Sequence, residues 1–247
     1  MFKKAEKGYY EFQNFKKFKD LIHGFSTREF GDCRAKMPEN WKNIEKFLRA
    51  FGLKKEDLVL GEQTHGNKIK VVNYNDRGKI VPAVDGLLTR DWQLVLGVRS
   101  ADCLPILFFE PEVKIVGAAH AGWQGILARL PQKMIDQIIR MGGIPENVLV
   151  GIGPHICGKC YSVEKNRTQQ FLAEFGNLGG MVRSEGEKNW LELEIPTVNQ
   201  LVHSGVKWRN IFFAGVCTAC QNKDFFSYRK DSKKTYGEML SVICLKR

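Results

Sequence analysis

The sequence predicts a mixed α/β (α+β) fold in which strands and helices alternate irregularly. Three apolar runs of strand length lie at residues 94–98, 105–109 and 114–119, separated by turn residues. Because these runs are continuously apolar, they indicate a sheet that is buried on both faces. Hairpin-like turns are frequent, whereas a doubly wound parallel sheet alternates strands and helices regularly. We therefore expect mixed sheets.

The elements before these runs follow from local patterns. Residues 8–31 indicate a strand, a short basic turn and a second extended segment. Residues 40–53 predict a helix that Asn40 could cap and that Gly52 ends. Short strand-like segments follow, and they lie at 58–60, 68–72 and 84–89.

The chain becomes helical after residue 120. Residues 121–125 open a helix that continues over 126–141, and Pro131 should kink or restart it. Gly142 and Gly143 end this helix. The later elements are strands and helices in turn: a strand at 148–152, helices at 163–175 and 196–204, and strands at 211–216 and 239–245.

The chain of 247 residues is long enough for a sizeable core, in one large domain or two small ones. Hydrophobic residues make up 43% and charged residues 26%, which is ordinary for a globular protein. No apolar stretch reaches the length of a membrane span, and the basic N-terminus lacks the apolar segment of a secretory signal. These features predict a cytoplasmic protein.

The net charge of +11 permits binding of an anionic molecule, but a solvated lysine-rich surface explains it as well. No signature of a nucleic-acid-binding protein is present, so no nucleic-acid partner is expected. Without a secretory signal, the seven cysteines indicate reduced thiols, metal ligands or core residues rather than disulfides.

Three short segments carry the candidate chemistry. They are GEQTHG at 61–66, SADCLP at 100–105 and AAHAGW at 118–123, and they contribute His65, Cys103 and His120. Two imidazoles and one thiol can hold zinc and leave a fourth position open for water or substrate. Because these ligands lie 38 and 17 residues apart, only a fold could bring them together.

The chain resembles the YfiH family, also called the laccase-domain or polyphenol oxidoreductase family. The motifs that carry the resemblance run nearly end to end: HGFSTR at 23–28, GEQTHG at 61–66, VDGLLT at 84–89, SADCLPI at 100–106, AAHAGWQG at 118–125, GIGPHI at 151–156, CYSV at 160–163, CTAC at 217–220 and FFSYRKD at 225–231. Gln124, Lys230 and the lysines after Ser232 stand where relatives commonly have other residues, often arginine.

The resemblance implies a single domain over 1–247 with four layers, α/β/β/α, built on mixed sheets. It also implies a zinc-dependent purine nucleoside phosphorylase whose metal ligands are His65, Cys103 and His120. Its substrates would be a purine nucleoside (adenosine, inosine or methylthioadenosine) and phosphate, and its products the free base and ribose 1-phosphate. Adenosine deamination is a further activity of the family.

Other residues are candidates for the same site. Asp102 could orient a ligand histidine or act as a general base, and we favour the orienting role. Asp85 and Gln63 are weaker candidates for the same pocket, with Gln63 assigned to substrate binding. Arg28 and Arg229 could bind the substrate phosphate, because a guanidinium grips an oxyanion with two hydrogen bonds. The remaining histidines, His23, His155 and His203, are not expected to bind the metal.

Two Cys-x-x-Cys pairs form a rival metal site. Cys157 with Cys160 and Cys217 with Cys220 are separated by 56 residues, which exceeds the spacing of zinc ribbons. We expect reduced thiols near one pocket wall, with a structural zinc as the alternative. In neither case would these cysteines hold the catalytic metal.

Three other functions remain open. One cysteine and two histidines are also the ligands of a blue-copper centre, so a copper-dependent polyphenol oxidase is an alternative. However, five histidines cannot supply the additional trinuclear cluster of a multicopper oxidase. A metal-free hydrolase with Cys103 as nucleophile and His120 as base is another alternative. A basic binding protein without catalysis is the third.

Overall fold

The computed structural model describes residues 1–231 and 235–246. The lysines at 233 and 234, noted above, lie outside the described residues. The strands within the described part are β1 (Phe2–Lys4), β2 (Tyr10–Phe12), β3 (Leu21–Phe25), β4 (Leu58–Gly61), β5 (Ile69–Val71), β6 (Ile80–Val81), β7 (Gly86–Thr89), β8 (Val95–Ser100), β9 (Leu104–Glu110), β10 (Ile115–Ala121), β11 (Leu149–Ile152), β12 (Ser162–Val163), β13 (Val182–Glu185), β14 (Lys188–Leu191), β15 (Ile211–Phe213) and β16 (Met239–Leu245). The α-helices are α1 (Trp41–Arg49), α2 (Trp123–Leu127), α3 (Leu130–Arg140), α4 (Lys165–Phe175) and α5 (Glu194–His203).

Two large mixed sheets form the centre of the molecule. The first has the strand order β1-β2-β3-β16-β8-β4-β6, and only its β8-β4 and β4-β6 pairs are parallel among the described strands. The second has the order β15-β11-β9-β10-β7-β5, with parallel pairs at its two edges. A small antiparallel sheet, β12-β14-β13, lies beside them.

The core clusters show that the two large sheets pack face to face between helices. Phe25 and Val98 of the first sheet share one buried cluster with Phe109 and Val116 of the second. The other face of the first sheet packs against α1. The other face of the second sheet packs against helices on its far side, including α3 through Ile135. This four-layer α/β/β/α arrangement confirms the predicted mixed-sheet fold.

The central strands agree with their apolar sequences. Every residue of β8, β9 and β10 is buried, as expected for strands covered on both faces. Pro131 does restart the helix, because α2 ends before it and Pro131 lies in the first turn of α3. The β13-β14 hairpin was not predicted. None of the helices in the described ranges is long and apolar enough to cross a membrane.

The predicted capping role of Asn40 is wrong. The Asn40 side chain makes no capping hydrogen bond to α1, and its amide nitrogen donates instead to Asp32 Oδ2 at 2.9 Å. A short 3₁₀ turn precedes α1, so the chain enters the helix without needing a side-chain acceptor at this position.

Candidate metal centre and cavity

Three chain segments meet at one end of the two large sheets. His65 lies in the loop after β4, Cys103 lies in the turn just before β9, and His120 is the penultimate residue of β10. In the β9-β10 pair, Pro105 is opposite His120, so the hairpin places the Cys103 turn beside the histidine. The sheet architecture therefore brings together ligands that are far apart in sequence.

The three side chains lie close enough to hold one ion. The ligand atoms of His65, Cys103 and His120 all lie within 4.8 Å of one another. The two imidazole rings are 4.8 Å apart between centroids and nearly perpendicular, at 82°. His120 is buried, whereas His65 is exposed on the cavity side. The donor set thus fits zinc or copper and leaves one side accessible to a substrate.

Asp85 orients both histidines. Its Oδ1 lies 2.9 Å from His120 Nδ1 and accepts from the backbone N–H of His65 at 3.0 Å. Its Oδ2 accepts from the backbone N–H groups of Thr64 and Gly66 and from the Thr64 hydroxyl. With Nδ1 bound to a carboxylate, His120 keeps Nε2 free for a metal.

The hydrogen bonds to Asp85 also determine its charge. Burial by itself would raise the pKa of Asp85, but the hydrogen bond with His120 and the backbone amides of Gly66 and Thr64 outweigh it and hold the pKa below its usual value. The carboxylate is therefore ionised, and it can accept every hydrogen bond that these donors offer.

Two local backbone features allow the side chains of His65 and Cys103 to lie close to each other. His65 and Asp102 have positive φ angles, 60° and 86°, which residues other than glycine seldom adopt. Gly122 lies directly behind the ligands: a Cβ at this position would be 3.0 Å from His65 Cδ2 and 3.1 Å from Cys103 Sγ. A side chain at residue 122 would therefore push the ligands apart.

The Cys103 thiol is protonated when no cation is bound. Desolvation raises the pKa of Cys103 to about 12, and the negative charges of Asp102, Glu238 and Asp85 add to this effect. A thiol with such a pKa is a poor nucleophile at neutral pH. This environment disfavours a metal-free hydrolase with Cys103 as the nucleophile.

Asp102 does not orient a ligand histidine, which corrects the role that we favoured from the sequence. Its Oδ1 accepts from the Thr218 hydroxyl at 2.6 Å, and its Oδ2 accepts from the backbone N–H of Arg229 at 2.7 Å. The carboxylate bonded to His120 is that of Asp85. Asp102 instead joins the Cys103 turn to the C-terminal segment of the chain.

The group formed by His65, Cys103 and His120 opens into a cavity of about 850 Å³, a size that suits a small organic ligand. Cationic side chains outnumber acidic ones in its lining: the acids are Asp102 and Glu238, and the cations are Arg34, Lys36, Arg99, Arg167 and Arg229. Burial raises the pKa of Glu238, which weakens the negative charge further. The cavity is therefore suited to an anion.

Two of these arginines keep buried donors free. Arg99 Nε and Arg167 Nε have no hydrogen-bond partner within the described part of the chain. Glu238 Oε2 lies 4.0 Å from Arg99 Nε, which is too far for a hydrogen bond. The two Nε atoms are themselves covered, but both guanidinium groups line the cavity, so their positive charge is available to an anion there.

Aromatic rings line another part of the same cavity. They belong to Trp123, Tyr161, Tyr228 and Tyr236. Guanidinium groups stack on several of them: Arg167 lies 4.2 Å from the Trp123 ring centroid, and Arg34 lies 4.7 Å from that of Tyr236. Sequence reasoning assigned no role to these residues or to Arg99, although Trp123 lies in the AAHAGW segment of His120 and Arg99 directly precedes the SADCLP segment of Cys103.

The three predicted substrate-binding residues have different locations. Gln63 lines the cavity, but both ends of its amide bond the backbone of Arg99, so it fixes the loop that carries His65. Arg229 lines the cavity and donates to Ser162 O at 2.7 Å. Arg28 is not part of the described cavity lining. Its guanidinium pairs with Asp231 and donates to Phe225 O.

The other cysteines and histidines lie outside this centre. Cys157, Cys160, Cys217 and Cys220 form a second group, whose sulfurs all lie within 4.8 Å of one another. His23 Nε2 accepts from the backbone N–H of Phe12, and the Nδ1 atoms of His155 and His203 face backbone carbonyls. None of these three histidines belongs to a metal-ready group among the described residues.

Known proteins are similar to this chain over most of its length. A sequence model of the family described as multi-copper polyphenol oxidoreductase laccase matches residues 22–246. Purine nucleoside phosphorylase YlmD of Bacillus subtilis is 30% identical, covering 92% of this chain and 90% of the relative. Adenosine deaminase RL5, from an unknown prokaryotic organism, is 29% identical over 73% of this chain and 72% of its own. The crystal structure of the hypothetical protein YfiH of Bacillus licheniformis superimposes with a TM-score of 0.91, at 26% identity and 99% coverage of both chains.

Proposed function

The chain belongs to the multi-copper polyphenol oxidoreductase laccase family, and we propose that it is a zinc-dependent purine nucleoside phosphorylase with His65, Cys103 and His120 as metal ligands. Its substrates are a purine nucleoside, such as adenosine, inosine or methylthioadenosine, and inorganic phosphate. The products are the free base and ribose 1-phosphate. The relative YlmD of Bacillus subtilis, 90% of which aligns with this chain, is named a purine nucleoside phosphorylase.

One observation supports the proposal. The candidate metal ligands line the same cavity as a cationic wall, which consists of Arg34, Lys36, Arg99, Arg167 and Arg229. Phosphate needs several hydrogen-bond donors and positive charge, and arginine supplies both. Arg99 and Arg167 line the cavity, so their positive charge can act on a bound anion. The aromatic side chains of the cavity offer flat apolar surfaces for a purine base. Both halves of the substrate pair thus find suitable partners.

The side chains divide the work as follows. Asp85 holds His120 in the tautomer that presents Nε2, and Gln63 fixes the His65 loop to β8. Asp102 positions the Cys103 turn and the Arg229 backbone. The arginines hold phosphate close to the ribose, which turns a reaction between two molecules into one within a complex. Zinc bound to this ligand set supplies a Lewis acid with an open coordination position.

The ligand set argues against a multicopper oxidase despite the family's description. Of the five histidines, only His65 and His120 face the cavity, and the second metal-ready group in the described residues contains cysteines alone. A trinuclear copper cluster would need many more histidines. Copper could occupy the same three ligands, so a copper-dependent polyphenol oxidase remains the competing assignment to be tested.

Adenosine deamination is a second candidate activity, because adenosine deaminase RL5 aligns with nearly three quarters of this chain. This reaction needs water rather than phosphate. The His-x-Glu and Pro-Cys-x-x-Cys signature of the common zinc deaminases is absent from the sequence. Deamination would therefore use the same metal centre in a different arrangement.

The proposal is tested by incubating zinc-loaded protein with adenosine, with and without phosphate, and identifying the products. Adenine and ribose 1-phosphate, formed only with phosphate, would support phosphorolysis. Inosine formed at the same rate in both samples would assign deamination instead. Oxygen consumption with a phenolic substrate, dependent on copper, would establish the oxidase alternative and overturn the proposal.

Arg99→Gln is expected to raise the KM for phosphate by about tenfold or more, because losing one charged hydrogen bond costs roughly 1.5–3 kcal/mol. The KM for adenosine should change much less. Steady-state kinetics with each substrate varied in turn checks this. Arg49→Gln, on the exposed side of α1, is the matched control and should alter neither constant. Equal increases in both KM values would show that Arg99 has a general structural role.

A further inference from the structure

The two Cys-x-x-Cys pairs come together outside the cavity that holds His65. All four sulfurs, those of Cys157, Cys160, Cys217 and Cys220, lie within 4.8 Å of one another. A zinc ion about 2.3 Å from each of four sulfurs keeps neighbouring sulfurs about 3.8 Å apart. The cluster is therefore close to the size that a tetrahedral ion requires, and it needs little contraction to bind one.

The backbone holds the two pairs side by side. His155 and Cys217 form a parallel bridge: His155 N–H donates to Val216 O at 3.2 Å, and Thr218 N–H donates to His155 O at 3.0 Å. The N–H of Cys157 points at Cys217 Sγ, 3.3 Å away. Backbone N–H donors facing sulfur favour a thiolate over a thiol. The fold thus holds the four cysteines together in an arrangement that a cation could enter.

The sulfurs are not paired as disulfides. All seven cysteines are free, and the short contact between Cys160 Sγ and Cys220 Sγ, 3.4 Å, is far longer than a disulfide bond of about 2.05 Å. Crowding four thiols without a bond or a cation would leave polar sulfur atoms against one another with little gain. One shared ion would satisfy all four.

The surroundings can balance the charge of such a site. A zinc ion with four thiolates has two net negative charges. The groove beside Cys160 and Cys220 is lined by Lys223, Arg229 and Lys230, with Asp224 as its acid. Cys220 is exposed, so an ion can enter from solvent. An excess of cations next to a cluster of thiols suits thiolates bound to a metal.

We propose that Cys157, Cys160, Cys217 and Cys220 bind a second zinc ion in a closed site of four sulfurs. This assignment is independent of the proposed catalytic activity. It replaces our expectation of unbound thiols, which rested on the long spacing between the pairs. The spacing is irrelevant once the His155–Cys217 bridge aligns the two loops. With all four positions occupied by sulfur, the ion cannot activate a substrate, so its role is structural.

The second ion would stabilise the turn that carries Cys103. Thr218, between the second pair of cysteines, donates its hydroxyl to Asp102 Oδ1 at 2.6 Å. Ile156, next to the first pair, donates its N–H to Asp102 O at 3.0 Å. Asp102 has a strained φ of 86° that these contacts hold in place. Joining the two loops through one ion would fix both anchors of this turn.

Metal content of tag-free protein, purified under reducing conditions without chelators, tests the proposal. We expect two equivalents of zinc in the natural sequence. One equivalent should remain in His65→Ala/His120→Ala and one in Cys160→Ser/Cys220→Ser. Cys244→Ala, which changes a buried cysteine of β16 outside both groups and outside the cavity lining, is the matched control and should keep two equivalents.

X-ray absorption of His65→Ala/His120→Ala decides the matter even if the double cysteine variant fails to fold. Its remaining zinc should show sulfur ligands alone, at about 2.3 Å. The assignment is overturned if this variant holds no zinc, if it holds iron instead, or if mass spectrometry without reductant shows disulfides among the four cysteines. Since the variant lacks the cavity ligands, these outcomes do not depend on whether the protein is a phosphorylase.

Discussion

Cys103→Ser is expected to lower kcat/KM for adenosine phosphorolysis by roughly a thousandfold, because metal catalysis contributes several kcal/mol and each 1.4 kcal/mol is a factor of about ten. A serine hydroxyl is a far weaker zinc ligand than a thiolate, so the cavity metal should be lost. Kinetics and metal analysis on the same preparation would check both effects.

The fold should survive this substitution. Cys103 lies in a turn before β9, outside the buried clusters that join the sheets and helices. The melting temperature should therefore fall by only a few degrees, as for an ordinary single substitution. Cys244→Ser, at a buried thiol of β16 outside the cavity lining, is the control for the chemical change itself. A fall of tens of degrees in Cys103→Ser would make the site structural and contradict a catalytic assignment.

Local sequence predicted the mixed-sheet class and the buried strands. The four layers were implied only by the family resemblance, and the strand order could not be predicted. The apolar sequences of β8, β9 and β10 are sufficient to predict that these strands are buried. In contrast, β16 inserts between β3 and β8, so the last strand of the chain pairs with residues more than 200 positions earlier. Such pairing depends on the packing of the whole core, and no local pattern encodes it.

The candidate metal ligands were found because their chemistry is rare in turn-rich segments, whereas their supporting residues were harder to assign. Asp102 precedes Cys103, so sequence proximity suggested that it would serve the ligands. Its carboxylate instead bonds Thr218 and the Arg229 backbone. Asp85 is the orienting residue, although the sequence analysis named it only as a weaker candidate for the same pocket.

The cationic wall was also difficult to predict from the sequence. Arg28 was singled out because a guanidinium can bind a phosphate with two hydrogen bonds, yet its guanidinium pairs with Asp231 and is not part of the described cavity lining. Arg99 was missed because it lies within an apolar strand, and a single charged residue there was not treated as a candidate for the cavity. Its burial and its free Nε mark it only when the structure is known. A charged residue inside an apolar strand is thus a signal that sequence reasoning should weigh.

Asp85→Asn should weaken zinc binding at the cavity by about 10–100-fold, the usual cost of losing a carboxylate behind a ligand histidine. An asparagine amide has one acceptor and one donor end, whereas Asp85 accepts from donors on both oxygens. If the amide nitrogen of the new side chain takes the Oδ2 position, its N–H groups face the backbone N–H groups of Thr64 and Gly66, and those hydrogen bonds are lost. If the amide nitrogen takes the Oδ1 position, it donates to His120 Nδ1, so the ring proton moves to Nε2, which is the atom needed for the metal.

Competition with a chromogenic chelator measures the zinc affinity of Asp85→Asn, and added zinc should restore most of its turnover, since no reacting group has been removed. Asp91→Asn, at a carboxylate that accepts only from the exposed Tyr74 N–H among the described contacts, is the control and should keep the natural affinity. If Asp85→Asn bound zinc normally and still lost its activity, Asp85 would act on the substrate itself. Restoration by zinc would instead establish that one buried carboxylate sets the position of both histidines, and through them the place where the metal and the cationic wall meet.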